Sequence, residues 1–229
     1  MSDSINFSID KKNEVDKKSF RVQKLMADFD LKPEHSNEHF EGEIKLPEKW
    51  NIGVIVGPSG TGKTTIGKEL FGEEIKDDFE YSGKSVLDEM PKGLSMKEIS
   101  KMFYAVGFGS TPSWLKPYSV LSNGEKMRVD LARKLLQDDF VVFDEFTSVV
   151  DRNVAETMCL ATNKAIKRLD KKFVAISCHY DILEWLQPDW VFDTAKMKSF
   201  FGISHEEKNG LKLGNAKSQS GKSLGSIII

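Results

Sequence analysis

Gly57-Pro58-Ser59-Gly60-Thr61-Gly62-Lys63-Thr64-Thr65 fits G-x-x-x-x-G-K-[ST], with Gly57, Gly62, Lys63 and Thr64 at the defining positions. The spacing has a chemical reason. Glycines let the backbone curl so that successive N–H groups converge on a phosphate, where a Cβ would obstruct the turn. Lys63 supplies a point charge for the β- and γ-phosphates, and the Thr64 hydroxyl offers one ligand to Mg²⁺. Trp50 to Val56 ends in a β-branched apolar run that reads as a buried parallel strand. Thr64 to Phe71 reads as the helix that follows, its N-terminal dipole facing the phosphates. A plain glycine turn would explain an isolated GK[ST] string, but not the full pattern behind an apolar strand. The loop predicts a nucleoside triphosphate and leaves the machine open.

Leu121-Ser122-Asn123-Gly124-Glu125 narrows the choice. Alone, it reads as an N-cap with turn residues ahead of a helix carrying Met127, Leu131, Ala132, Leu135 and Leu136 at helical spacing. That helix runs directly into Phe140-Val141-Val142-Phe143-Asp144-Glu145, a buried strand with two carboxylates at its C-terminal end. Parallel α/β sheets place ligands at that end. Phe173 to Cys178 is a second buried-strand pattern, closed by His179.

Gly57 to Thr65, Leu121 to Glu125, Phe140 to Glu145, Ser148-Val149-Val150-Asp151 and His179 occur in the order found in ABC-type ATPases, and the chain resembles that superfamily. Leu121 to Glu125 is similar to the family signature LSGGQ, with Asn123 for the first glycine and Glu125 for glutamine. The resemblance implies a P-loop α/β fold with a mainly parallel central sheet, an N-terminal antiparallel layer and a shortened helical lobe over residues 75 to 120. It implies that residues Gly57, Pro58, Ser59, Gly60, Thr61, Gly62, Lys63, Thr64 and Thr65 cradle ATP. Thr64 and Asp144 would hold Mg²⁺, and Glu145 would polarise the attacking water. His179 would contact the γ-phosphate; as a lone histidine after a strand, its other reading is a structural hydrogen-bonded residue. Ser122, Asn123, Gly124 and Glu125 would meet the nucleotide of a second copy, and Asp151 would link the two sites. An aromatic upstream of the loop would stack on adenine, Phe29 being favoured over Phe40. The phrases Trp50 to Gly53, Ser177 to Asp181 and Pro188 to Asp193 resemble stand-alone bacterial and phage members often associated with an N-acetyltransferase.

One expected feature is missing. No glutamine lies between Ile66 and Val120, where transporter relatives carry a glutamine loop; Glu80 or Asp78 would be its substitute. Only 59 positions separate Lys63 from Ser122, which predicts a pruned membrane-contacting arm and leaves no room for a long coiled coil.

Composition sets the frame. At 229 residues the chain suits one α/β domain over residues 1 to 208. A net charge of −2 gives no global pull toward nucleic acid or anionic membrane, and Arg21, Arg128, Arg133, Arg152 and Arg168 are the only arginines. Cys159 and Cys178 are too few for a zinc site and read as free thiols in a reducing cytosol. No apolar run approaches the roughly 20 residues that span a bilayer.

Alternation of Ile5, Phe7 and Ile9 predicts an edge strand, and Phe40 to Ile44 another. Val22, Leu25 and Met26 suit a short helix or strand. Ser95 to Glu98 suits a capped helix start, whereas Pro112, Trp114 and Pro117 suggest a loop. Residues 153 to 169 form an amphipathic helix. Residues 209 to 229, rich in Gly, Ser and Lys, read as a flexible basic tail, or one that contacts nucleic acid or docks as a strand.

The reading is a cytoplasmic Mg²⁺-dependent ATPase, an ATP-driven homodimer acting on a protein partner, such as an acetyltransferase, or on nucleic acid, without membrane insertion. The alternatives are a transporter's nucleotide-binding subunit and an ATP-binding module with little turnover.

Overall fold

The computed structural model describes residues 3–12, 15–32, 37–72, 74–75 and 79–201. Asp78 and the stretch 209–229 lie outside these residues.

Strand β3 (Ile52–Val56) is buried at every position and occupies the middle of a five-stranded sheet. Its neighbours are β5 (Lys172–Ser177) and β6 (Trp190–Asp193), both parallel to it. Beyond β5 lies parallel β4 (Phe140–Phe143), and beyond β6 lies antiparallel β7 (Lys198–Phe201), giving the order β4-β5-β3-β6-β7. Strands buried on both faces lose the polar alternation of a half-exposed strand, which is why these read as continuous apolar runs. Strand period two then divides the core. Ile52, Val54 and Val56 face one cluster with Phe173 and Ala175, while Ile55 faces the other with Val174 and Ile176.

The second cluster is covered by an antiparallel pair, β1 (Asp3–Lys11) and β2 (Glu38–Leu46), through Phe7, Ile44 and Leu46. Short helix α1 (Phe20–Asp28) lies between them in sequence. Helix α2 (Lys63–Phe71) packs onto the same cluster through Ile66 and Phe71. Gly53 is required by the close seat of Trp190, since a Cβ there would fall 2.1 Å from the indole.

The first cluster is covered by the lobe and the long helices. Helix α3 (Met96–Ala105) opens with the expected capping box, Ser95 with Glu98. The expected loop at Pro112 to Pro117 is more regular than the prolines suggest. Thr111–Trp114 forms a helical turn, α4, with Pro112 in its first turn, where its missing N–H costs nothing, and Tyr118–Val120 a 3-10 turn. Helix α5 (Asn123–Gln137) leads into β4, and α6 (Arg152–Leu169) packs against α7 (Ile182–Leu186). Among the described residues no helix is long and apolar enough to cross a membrane.

Candidate functional site

Parallel register brings three strand ends to one edge. Val56 pairs with Ser177 and Phe143 with Ala175, so the segments after β3, β4 and β5 leave the sheet side by side. These segments carry the phosphate loop, Asp144-Glu145 and His179.

The loop has the shape its glycines allow. Gly60 and Gly62 take φ values of 80° and 78°, in the left-handed region, and Gly62 caps α2. Lys63 is 9% exposed, and its ammonium donates to the Pro58 carbonyl at 2.8 Å. The Thr61 hydroxyl also reaches Pro58 O, at 2.8 Å, and pairs with the Thr194 hydroxyl at 2.6 Å. Thr194, just past β6, fits so closely that a Cβ on Gly57 would lie 2.1 Å from its oxygen. A buried ammonium held by a carbonyl, at a helix N-terminus, suits an anion.

Asp144 Oδ1 accepts the Glu145 N–H at 2.8 Å. Glu145 is exposed and has φ 52°, while buried Phe146 donates its N–H to Ile176 O at 2.9 Å, tying the turn to β5. The Ser148 hydroxyl donates to Glu145 O at 2.7 Å. The hard oxygens of Asp144 and Thr64 match what Mg²⁺ accepts from a protein.

Arg152, at the start of α6, holds Asp181 through two nitrogens and lies 3.2 Å from His179 Nδ1. A guanidinium only donates, so Nδ1 is the acceptor and the ring proton sits on Nε2. Burial and then the Arg152 cation hold the His179 pKa below its ordinary value, while Asp181 and Glu145 oppose them. The ring is therefore neutral at pH 7 and offers one N–H.

Ser122 caps α5 with Glu125 in a reciprocal box. The Ser122 N–H and hydroxyl donate to the Glu125 carboxylate at 3.0 and 2.9 Å, and the Glu125 N–H donates to the Ser122 hydroxyl at 3.3 Å. The carboxyl pKa is lowered, first by Ser113 and then by the Ser122 backbone. Asn123 borders a depression of about 300 Å³ that also contains Asp144, Glu145 and Ser148. Asp151 caps α6, accepting from Asn153 N at 3.1 Å and Val154 N at 3.0 Å.

A separate cavity of about 540 Å³ lies beside the phosphate loop, walled by Ser59, Gly60, Thr61, Phe40 and Thr194. The Phe40 ring rests on Gly62, 2.4 Å from where a Cβ would stand. Phe29 is instead 68% exposed at the end of α1. Glu80 is exposed, and its backbone carbonyl accepts from Arg133 at 3.3 Å. Sequence reasoning gave no role to Thr194, Arg152 or Asp181.

No family model matches the sequence. The chain is 25% identical to the ribosome protection protein VmlR of Bacillus subtilis over 169 residues, covering 65% of this chain and 30% of that protein. It is 32% identical to the energy-dependent translational throttle protein EttA of Mycobacterium tuberculosis over 134 residues, 47% of this chain and 24% of that one. It is 28% identical to the thiamine import ATP-binding protein ThiQ of Aliivibrio fischeri over 161 residues, 64% and 66% of the two chains. The chain thus spans less than a third of the first two. Among solved structures, a dimeric post-hydrolysis state of an ATP-binding cassette bound to ADP and Pi matches with a TM-score of 0.54 at 16% identity, covering 73% of this chain and 93% of that one. The chain cbiO1 of Clostridium perfringens, part of an ABC transporter complex, matches with a TM-score of 0.56 at 17% identity, covering 79% and 87%. The fold is that of the α/β P-loop ABC ATPases, as the ordered motifs imply, with the mostly parallel sheet and antiparallel layer expected of it.

The capping box has a pH signature. Because the folded pKa of Glu125 is lowered, its contribution is complete above the ordinary carboxylate value and disappears as pH falls through the folded one. Ser122→Ala should cost about 1 kcal/mol in urea unfolding at pH 7. The difference from wild type should shrink as pH falls from the ordinary carboxylate value of 4.5 through the lowered folded one.

Proposed function

We propose that two copies of this chain close head-to-tail around two ATP molecules and hydrolyse them, working as a switch on a protein or nucleic-acid partner. One observation carries the reading. The N-terminus of α5 is exposed at Ser122 and Asn123, as a contact with a second copy requires. In a dimer such as the solved ATP-binding cassette of similar fold forms, it would add backbone N–H groups to the γ-phosphate of an ATP seated on the other copy's loop.

In this reading Lys63 leaves Pro58 O for the β- and γ-phosphates. Thr64 and Asp144 hold Mg²⁺, which neutralises phosphate charge when bound. Glu145 orients the attacking water and takes its proton, and His179 Nε2–H donates to the γ-phosphate. Phe40, against Gly62 and in the wall of the cavity, replaces Phe29 as the aromatic for the base. Ser122 and Gly124 act in trans, with Asp151 between the two sites. The ribosome and translation names of two relatives favour a partner of RNA or protein, and likeness to acetyltransferase-associated ATPases keeps an acetyltransferase among the proteins to test. The import name of ThiQ supports a second reading, a transporter subunit. The short interval before the signature argues against it.

Glu145→Gln should slow ATP hydrolysis by on the order of a hundredfold and should shift the solution mass from monomer to dimer only with Mg²⁺-ATP, measured by light scattering. Hydrolysis at the wild-type rate would remove Glu145 from the mechanism, and a monomer with ATP bound would contradict closure. Phe40→Ala should weaken ATP binding roughly tenfold, as loss of one base-stacking ring predicts, whereas Phe29→Ala should leave it unchanged.

A further inference from the structure

The segment after α2 is zipped to the segment before the signature. Val86 N–H donates to Lys116 O at 3.0 Å, and Ser85 bridges Pro117. At this seam Tyr81 and Tyr118 stack with ring centroids 3.8 Å apart and 4° between planes. Both phenols donate to one carboxylate on α5: Tyr81 to Asp130 Oδ1 at 2.5 Å and Tyr118 to Oδ2 at 2.6 Å. Arg133, one turn further along α5, lies over the rings of Tyr81 and Phe79 at 5.0 and 4.5 Å. It also donates to Glu80 O.

The chemistry of the cluster is one-directional. Burial, followed by the Asp130 charge, raises the Tyr81 pKa, and burial with the Asp130 hydrogen bond raises that of Tyr118, so both remain protonated donors. Burial raises the Asp130 pKa too, against the phenols and the nearby Lys134 and Arg133 charges. Packing alone would not require a carboxylate here. Two phenylalanines against a leucine would close the same seam without desolvating a charge, and buried charges are poor sources of stability. A shared acceptor does something packing does not: it fixes three separate chain segments in one relative position.

That position matters because of where the cluster sits. Tyr118 and Asp130 both border the depression that contains Asn123, Asp144 and Glu145. Tyr118 O accepts the N–H of Leu121, next to Ser122, and Asp130 lies about two turns along the helix that Ser122 caps. We propose that Tyr81, Tyr118 and Asp130 form a clamp that sets how the signature is presented to the second copy, and that these are positioning residues for ATP-dependent closure. The inference rests on the dimer reading above. With the clamp intact, the N-terminus of α5 is held at a fixed angle to the depression, and closure needs no further ordering of the lobe. With a phenol removed, the lobe gains freedom that closure must take away again.

The test uses full-length Glu145→Gln protein as parent, with Tyr81→Phe, Tyr118→Phe and Asp130→Asn added singly. Two quantities are read: the Mg²⁺-ATP concentration at half-dimerisation by light scattering, and the affinity of the monomer for a fluorescent ATP analogue. Losing one charge-assisted hydrogen bond should raise the half-dimerisation concentration roughly tenfold and leave monomer affinity within about twofold. Trp114→Phe, which removes the Trp114 Nε1 to Phe108 O bond in the same lobe, serves as a control for general loosening. It should lower thermal stability without moving the midpoint. Unchanged midpoints in the clamp variants, or an equal shift in the control, would overturn the clamp alone. A parent that binds the analogue but never dimerises would refute the dimer reading and the clamp with it.

Discussion

The arrangement depends on the register of β5 between β4 and β3. With Val56 opposite Ser177 and Phe143 opposite Ala175, an anion cradle, a carboxylate pair and a histidine emerge from one sheet edge. A one-residue slip of β5 would exchange Val174 and Ile176 with Phe173 and Ala175 between the two core clusters, and would misplace His179. The N–H of Phe146, donated to Ile176 O, adds a cross-strand tie that fixes the Glu145 turn against the same strand. Site geometry and core packing are thus set by one set of contacts.

The signature end is built differently. It is a surface helix terminus that satisfies its own donors, because Glu125 returns to the Ser122 N–H and hydroxyl. A glutamine at that place would cap without charge. A carboxylate there lowers the positive potential that a γ-phosphate would seek, so approach of the phosphate competes with the cap. This departure from the signature it resembles would bear on how readily the proposed dimer closes.

Much of the site was legible because its signals are local. The phosphate loop, the acids after Val141 to Phe143 and the cap at Ser122 are each contiguous, and strand or helix period places them. What sequence left open depends on long-range neighbours. Thr194 meets Thr61 across 133 positions, following a strand of only four residues. Choosing between Phe29 and Phe40 needs the antiparallel pairing of Ile9 with Phe40 and the way that layer lies on Gly62. Arg152 and Asp181 look like ordinary surface charges until α6 and α7 pack together and Asp181 holds Arg152 beside His179. The Tyr81 and Tyr118 rings are likewise unremarkable in a chain, and only the zipped lobe reveals that they share Asp130.

The central claim is that each nucleotide site draws on two chains, and complementation tests it most directly. Lys63→Ala would remove the proposed phosphate contact. Gly124→Asp adds a negative charge to the signature at a position where a Cβ would lie 3.4 Å from Val150 and Val154, so the helix should still fold. Each variant alone should be inactive. Mixing them creates dimers in which one site combines an intact phosphate loop with an intact signature, and ATP hydrolysis should return. Mixtures as inactive as their components, in samples shown to form mixed dimers, would contradict a site shared between copies.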